Sequence, residues 1–463
     1  MTVAIDPAIF KAYDIRGIVD RTLTEEAVRA IGLALGSVAR AQGIDRAVVG
    51  RDGRLSGPAL AGALAEGFRD AGVSVIDIGQ VTTPVVYYAT YELGTGTGVA
   101  VTGSHNPPEY NGLKMMIGGD ALYGEAIQDL RAAIAESRFA PVPAAQRGGL
   151  SSLDLRERYL ERVAGDVKLA RPMKVAIDCG NGVAGAYAPE LFRRLGCEVT
   201  ELFCEVDGTF PNHHPDPAHP ENLVDLQRCL RETDCEIGLA FDGDGDRVGV
   251  VTKKGAIIFP DRQLMLLAAD VLSRNPGAQI IYDVKCTRNL AGWIREHGGE
   301  PLMWRTGHSL VKAKLKETGA PLAGEMSGHI FFKERWYGFD DGLYAAARLL
   351  EILSRHAEPG SVLEALPDSP TTPELQLPTA EGENFTLVES LKKNARFEGA
   401  SEVITIDGVR AEYPDGFGLA RPSNTTPVVV MRFEADTPKA LARIQEAFRA
   451  AILAEKPGAK LPF

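Results

Sequence analysis

No two cysteines in this 463-residue chain are spaced CxxC. The six present (Cys179, Cys197, Cys204, Cys229, Cys235 and Cys286) cluster mostly in one stretch of a large chain. They read as buried free thiols in a reducing cytoplasm, and a zinc site is not expected. No segment approaches ~20 uninterrupted apolar residues, so no membrane span is expected. Positive charge is scarce: 50 Lys and Arg stand against 62 Asp and Glu, a formal net charge of −12. The average field repels a polyanion such as DNA, although a local basic pocket stays compatible with it. There is no GxxxxGK[ST], which excludes a P-loop kinase. Gly94 to Gly98 (GTGTG) precedes a strand and lacks the GxGxxG register, so it is not read as a nucleotide loop. Met1 to Phe10 shows no basic stretch followed by an apolar core, so no signal peptide is expected.

The rest of the composition is that of a folded protein. Apolar residues make up 45% and charged residues 24%, enough apolar material to offset the entropy of ordering. At roughly 150 residues per domain the length suits three domains or four small ones. Helical and strand patterns alternate over the first ~370 residues, the sign of α/β architecture. Glu25 to Arg40 and Pro58 to Asp70 read as helices, and Ala47 to Gly50 and Ser74 to Ile78 as strands.

A pattern recurs three times. An apolar strand ends in an acidic turn in AVVGRDGR (47–54), KVAIDCGNG (174–182) and QIIYDVKCT (279–287). A second apolar segment later runs into a loop dense with functional groups: GVAVTGSHNPP (98–108), IGLAFDGDGDR (237–247) and APLAGEMSGH (320–329). Ligands gather beyond the carboxyl ends of such strands, so the three loops could face one cleft. PDSPTTPELQLP (367–378) reads as a linker. Beyond it, a helix over 385–394 and strands over 403–407 and 428–433 suggest a small α+β domain. The expected domains are 1–150, 151–256, 257–368 and 369–463: three similar mixed α/β units and a smaller C-terminal one around a central cleft.

Four loops carry candidate chemistry. Thr102-Gly103-Ser104-His105-Asn106-Pro107-Pro108 is not a GxSxG elbow, because Asn106 replaces the second glycine. It reads as an Asx/Pro turn closing a strand, or as a phosphorylatable serine whose charge His105 and Lys114 could balance. Asp242-Gly243-Asp244-Gly245-Asp246-Arg247 puts carboxylates at alternating positions. An EF-hand is excluded, since Arg247 and Lys253 stand where its turn glycine and terminal glutamate belong. The loop is either an acidic surface turn or a site for one hard cation. The apolar strand Ile237 to Phe241 leading into it favours the cation, because three like charges at a strand end are costly alone. Open coordination positions suit Mg²⁺, and Arg247 can hold phosphate or sugar oxygens. Gly324-Glu325-Met326-Ser327-Gly328-His329 reads, on its own, as a polar loop with a structural histidine. Alternatively, Glu325 and Ser327 read vicinal sugar hydroxyls if the loop is extended, and His329 moves a proton. Arg421-Pro422-Ser423-Asn424-Thr425-Thr426 reads as a capped turn or as a phosphate clamp. His213, His214 and His219 sit in the proline-rich PNHHPDPAHP, where a structural role is expected rather than a metal cluster.

These four loops, in this order, resemble the α-D-phosphohexomutase superfamily, and most nearly its bacterial phosphomannomutase/phosphoglucomutase group. The resemblance runs from Ala12-Tyr13-Asp14-Ile15-Arg16-Gly17 to the final clamp. TGSHNPP looks like the family's phosphoserine loop, DGDGDR its metal loop, GEMSGH its sugar-specificity loop and RPSNTTP its phosphate-binding loop. Met326 favours hexose over hexosamine mutases. The resemblance implies Mg²⁺ on Asp242, Asp244, Asp246 and Ser104, with Ser104 phosphorylated. It implies catalytic roles for Ser104, His105, Lys114, His329, Arg16 and Arg247, with His329 as base and Lys114 as acid. Tyr13, Lys285, His308, Glu325, Ser327, Arg421, Ser423, Asn424 and Thr425 would bind substrate.

The implied reaction interconverts hexose 6-phosphate and hexose 1-phosphate, of glucose and mannose, through a bound 1,6-bisphosphate that also serves as activator. The expected enzyme is a cytoplasmic monomer acting on sugar phosphates, without nucleic-acid or membrane partners. Three alternatives stay open: a Mg²⁺-dependent sugar phosphatase, a phosphohexomutase of other specificity such as phosphoglucosamine, and a non-catalytic sugar-phosphate-binding protein.

Overall fold

Helix Glu25–Ala41 shows how local sequence sets the first unit. Thr24 caps it by accepting from the Ala27 N–H at 3.2 Å, and Glu25 and Glu26 sit in its first turn. Val28, Ile31 and Leu35 are buried along one face. Beside that face Gly32 and Gly36 let the helix pack closely on helix Gly57–Asp70, where a Cβ at Gly67 would come 2.1 Å from the Arg29 carbonyl oxygen. The computed structural model describes residues 5–463. The expectation drawn from Met1 to Phe10 rests partly on residues 1–4, which lie outside that range.

Four sheets follow one another along the chain. The first runs in the order 15–18, 110–117, 98–101, 46–51, 74–80 and 150–152, so Leu150–Ser152, at the expected limit of 150, is its edge strand. The second runs 257–258, 248–252, 237–241, 174–178 and 198–202, and the third 300–304, 279–283, 322–324 and 330–332. The threefold pattern is visible in their registers. Arg46–Arg51 lies parallel to Gly98–Val101, which turns back antiparallel into Tyr110–Ile117. Lys174–Asp178 lies parallel to Ile237–Phe241, which turns back into Val248–Thr252. Gln279–Asp283 lies parallel to Leu322–Gly324, which turns back into Ile330–Phe332. The three loops of interest are those three reversals, each at the carboxyl end of an inner strand.

The fourth sheet is antiparallel, in the order 375–378, 428–435, 416–422, 409–413 and 402–404, with helices Glu383–Asn394 and Pro438–Glu455. Two expectations need correction. The 367–378 stretch is not all linker, because Leu375–Pro378 pairs with Val428–Met431. The strand expected over 403–407 ends at Ile404, and Asp407 instead accepts from Arg421 Nε at 3.0 Å.

One apolar core runs through the first three units, with Val86, Leu239, Leu264, Phe332 and Leu343 among its members. The fourth has its own core of Leu387, Val429, Phe433, Ile444 and Phe448. Third and fourth meet through a small contact of Val284, Phe417 and Leu419. There Arg410 donates to the carbonyls of Val284 and Cys286, and Arg432 to Asp261 Oδ2. All six cysteines are free. Among the described residues no helix is long and apolar enough to cross a membrane. His213 Nε2 sits 3.0 Å from Asp178 Oδ1, tying its irregular loop to a strand end.

Candidate active site

Ser104 follows strand Gly98–Val101 with φ +48°, a left-handed conformation that a side chain resists. Its N–H donates to Thr102 Oγ1 at 2.8 Å. Its carbonyl accepts from Arg54 Nη2 at 2.9 Å, and the same guanidinium holds the carbonyls of Asn106, Pro107 and Tyr110. Asp52 accepts from Thr102 Oγ1, the Gly103 N–H and Arg54 Nε. This bracing over-determines the loop and offsets the strain at Ser104. Ser104 Oγ donates to Asp242 Oδ2 at 3.1 Å and lies 3.1 Å from His105 Nδ1. The packed surroundings of His105, and then Arg247, hold its ring well below the ordinary imidazole range. Without a phosphate on Ser104, these surroundings favour the neutral ring.

The reversal after Ile237–Phe241 carries the three aspartates, all fully buried, with oxygens within 4.8 Å of one another. Lys114, on the neighbouring unit's strand Tyr110–Ile117, donates to Asp244 Oδ2 at 2.8 Å and Asp246 Oδ2 at 2.5 Å. Thr83 also donates to Asp244 Oδ2, and Arg247 Nε to Asp242 Oδ2. Burial, and then the other two carboxylates, push Asp242 up to about 8 despite Arg247. Asp244 Oδ1 is buried without a hydrogen-bond partner, and Asp246 Oδ1 has only a 3.4 Å contact with His329 Nε2. Oxygen-only donors, crowded charge and an orphaned acceptor fit a hard divalent cation.

The third reversal is a tight turn rather than an extended loop: the Gly328 N–H donates to the Glu325 carbonyl. Glu325 and Ser327 consequently converge on one atom. Glu325 Oε2 lies 3.1 Å and Ser327 Oγ 3.0 Å from His329 Nδ1, while Glu325 Oε1 accepts from the Gly307 N–H. Burial disfavours a charged His329 ring, but Asp246 and Glu325 outweigh it and raise the pKa to about 10. In this arrangement His329 holds its proton.

In the fourth unit Ser423 Oγ lies 2.9 Å from Thr426 Oγ1 and 3.4 Å from Thr425 Oγ1. Asn424 Nδ2 donates to Tyr13 Oη at 2.7 Å, bridging the last unit to the first. Lys285 reaches Glu374 at 3.0 Å. Arg16 holds Asp14 at 2.6 Å and also donates to Asn106 Oδ1. These groups, with His308, surround one cavity of about 730 Å³ that touches all four units and contains every expected site residue except Asp242, Asp244 and Asp246, which close its floor beneath Ser104 and Arg247. Among the described residues, Arg16 Nε, Arg247 Nη2 and Arg421 Nη2 are buried donors without partners. Three idle guanidinium N–H groups around one cavity call for anionic oxygens.

The motif reading missed Arg54, Asp52, Thr83 and Asp216, which accepts from Arg247 Nη1 at 3.2 Å. RDGR at the strand end carried a usable signal for the first two. Thr83 opens a helix and has none.

Four family descriptions match in sequence order. They are phosphoglucomutase/phosphomannomutase alpha/beta/alpha domains I (residues 7–141), II (157–255) and III (259–369), and the C-terminal domain (374–451). The chain belongs to the phosphoglucomutase/phosphomannomutase family, a group of phosphohexomutase isomerases. It is 60% identical over 445 residues to a phosphoglucomutase of Neisseria gonorrhoeae, covering 96% of each chain. It is 54% identical over 457 residues to a phosphomannomutase/phosphoglucomutase of Pseudomonas aeruginosa, covering 98% of each. The crystal structure of a phosphoglucomutase/phosphomannomutase family protein from Burkholderia thailandensis superposes with a TM-score of 0.94 at 62% identity, over 99% of this chain and 100% of that one.

Proposed function

We propose that this chain interconverts the 1- and 6-phosphates of glucose and mannose through a phosphorylated Ser104 and a bound 1,6-bisphosphate. The observation that carries the reading is the pairing of Ser104 Oγ with Asp242, 3.1 Å apart, at a cavity that the Arg421 loop also lines. Asp242, Asp244, Asp246 and an oxygen on Ser104 would hold Mg²⁺, which when bound neutralises charge on the transferring phosphoryl group.

In the forward step the bond from Ser104 Oγ to phosphorus breaks and one from phosphorus to the sugar hydroxyl forms. His329 takes the hydroxyl proton, and Lys114 returns one to Ser104 Oγ. Asp244 and Asp246 outweigh the burial of Lys114 and keep it protonated, so it carries a proton, which it would release more readily once those carboxylates turn to the cation. His329 can accept a proton only when Asp246 is engaged elsewhere, since that carboxylate is its main stabilising charge. The bisphosphate then turns end over end, and its other phosphate returns to Ser104. Arg421 and Ser423 grip whichever phosphate is not reacting, and Glu325 with Ser327 reads hydroxyls common to both poses. Every group named lies on one chain, so the reaction calls for no residue of a partner, and six unpaired thiols suit the cytoplasm.

The test mixes the protein with mannose 1-phosphate, Mg²⁺ and trace hexose 1,6-bisphosphate and follows mannose 6-phosphate. Stoichiometric conversion without free phosphate supports the reading. Release of inorganic phosphate equal to substrate loss overturns it in favour of a phosphatase.

A further inference from the structure

His308 begins helix His308–Thr318 and lines the cavity, yet its ring is gripped from behind. Lys312, one turn on, places Nζ 3.3 Å from His308 Nδ1 and 2.7 Å from Asp340 Oδ1. The same ammonium lies over the Tyr87 ring at 4.1 Å. Lys312 and Asp340 are buried, and their ion pair has no part in the reaction steps above. An ammonium has three donors and no acceptor. Where it meets a ring nitrogen, that nitrogen must be the acceptor and therefore bare. Ser309 Oγ, 3.4 Å from the same atom, can rotate its proton to suit. Among the described residues, Nε2 has no protein hydrogen-bond partner.

We infer that Lys312, held by Asp340, is a positioning residue that fixes His308 as the neutral tautomer with its proton on Nε2, making His308 a donor to an anionic oxygen of the ligand. Burial, and then Lys312, also hold this ring well below the ordinary imidazole range. Two consequences follow. His308 cannot serve as a base, although its ring lies 5.6 Å from that of His329. The neighbouring carboxylate is also kept from reversing the ring's polarity: Asp340 Oδ2 is 3.8 Å from Nδ1 and would attract a proton there if Lys312 were absent.

The ligand half of this inference rests on the sugar-phosphate reading, whereas the tautomer does not, so the two are tested apart. Histidine-selective ¹⁵N NMR of the Mg²⁺-loaded full chain, with His308→Gln to assign the signal, is expected to show an unprotonated Nδ1 and a protonated Nε2 at position 308. A protonated Nδ1 overturns the inference without any further variant. Lys312→Met is expected to move the proton to Nδ1 and to raise KM for hexose 1-phosphate about tenfold, the size of one lost charge-assisted hydrogen bond. Lys312→Met combined with Asp340→Asn removes the attracting carboxylate as well, and should restore the Nε2 proton and most of the affinity. Lys312→Arg, which keeps a donor, should behave as the parent. Equal losses in all three variants with the His308 signal unchanged would mean that the pair is structural scaffolding, and would overturn the inference. If the parent shows the expected tautomer but turns over no hexose phosphate, the functional reading fails and the tautomer assignment stands.

Discussion

Ser104 and Arg54 divide one task. The first presents an oxygen, and the second holds the backbone that presents it. Ser104→Ala removes the phosphoryl acceptor, and bisphosphate-dependent turnover should vanish while hexose-phosphate binding persists. Near-normal mutase rates in that variant would sink the phosphoserine. Arg54→Lys keeps the charge beside Asp52 but loses the planar fork that spans four carbonyls. The chain should still fold, with kcat reduced at least about tenfold through misplacement of Ser104. Arg54→Ala leaves Asp52 buried and unpaired and should cost about 3–5 kcal/mol in urea unfolding. The reading of single residues from sequence went furthest where a motif concentrates chemistry, as in DGDGDR. It failed where function lies in what a side chain holds, as with Arg54, because carbonyls 50 residues away leave no mark beside it. The environment of His105 was hidden in another way. The ring's neutrality comes from packing and from Arg247, neither of which is adjacent in sequence.

At the scale of elements, the aspartate reversal touches the other two, bridging to the third at Arg247 and His329. A Cβ at Gly243 would lie 2.3 Å from the Ser104 carbonyl oxygen, so the aspartate loop and the serine loop are seated backbone to backbone. Gly243→Ala should therefore destabilise the protein by about 1–3 kcal/mol and weaken the Mg²⁺ dependence of turnover. Gly62→Ala, in open space within helix Gly57–Asp70, should instead stabilise by up to about 1 kcal/mol with activity unchanged. Helix Gly342–Leu353 supplies a pH-dependent case. Its cap, Asp341, accepts from the Tyr344 N–H and the Tyr159 hydroxyl. Burial nevertheless raises it to about 7. The folded state prefers the protonated form, so the stabilisation is full below about pH 4 and is lost as pH rises through 7. Asp341→Asn keeps a capping oxygen. It should be more stable than the parent at pH 8, with a flatter profile of thermal midpoint between pH 5 and 8, and parallel profiles would refute the assignment. The strand–loop–strand recurrence was legible because apolar runs and acidic turns are local. The tightness of the Glu325 turn was not, since it depends on a Gly328 bond that spacing alone does not require.

Across the whole molecule, three units share a core and the fourth does not. Arg421 and Ser423 therefore ride on a body joined to the rest by one small apolar contact and an otherwise polar seam, which includes arginine bonds, Lys285–Glu374, Thr287–Glu434, Thr306–Asp407 and the Tyr13–Asn424 hydrogen bond. Relative motion is the default for such an interface. Closure over the ligand would exclude the water that otherwise hydrolyses phosphorylated Ser104. If one clamp serves both poses, as proposed, Arg421→Ala should raise KM for 1- and 6-phosphates alike, by about 10–100-fold. An effect on one substrate only would argue against a shared clamp. The four-part order of the chain was visible in its sequence, but the unequal coupling was not. Which cores merge depends on side chains meeting across units, as Tyr88 does with Tyr159 and Trp336, and no periodicity encodes that.

That unequal coupling also bears on inheritance. The serine, aspartate and Glu325 loops stand on sheets with a common interior, so an exchange of one sheet alone between relatives would disturb the other two. The terminal segment has an interior of its own, and its exchange would have to match only a mostly polar seam.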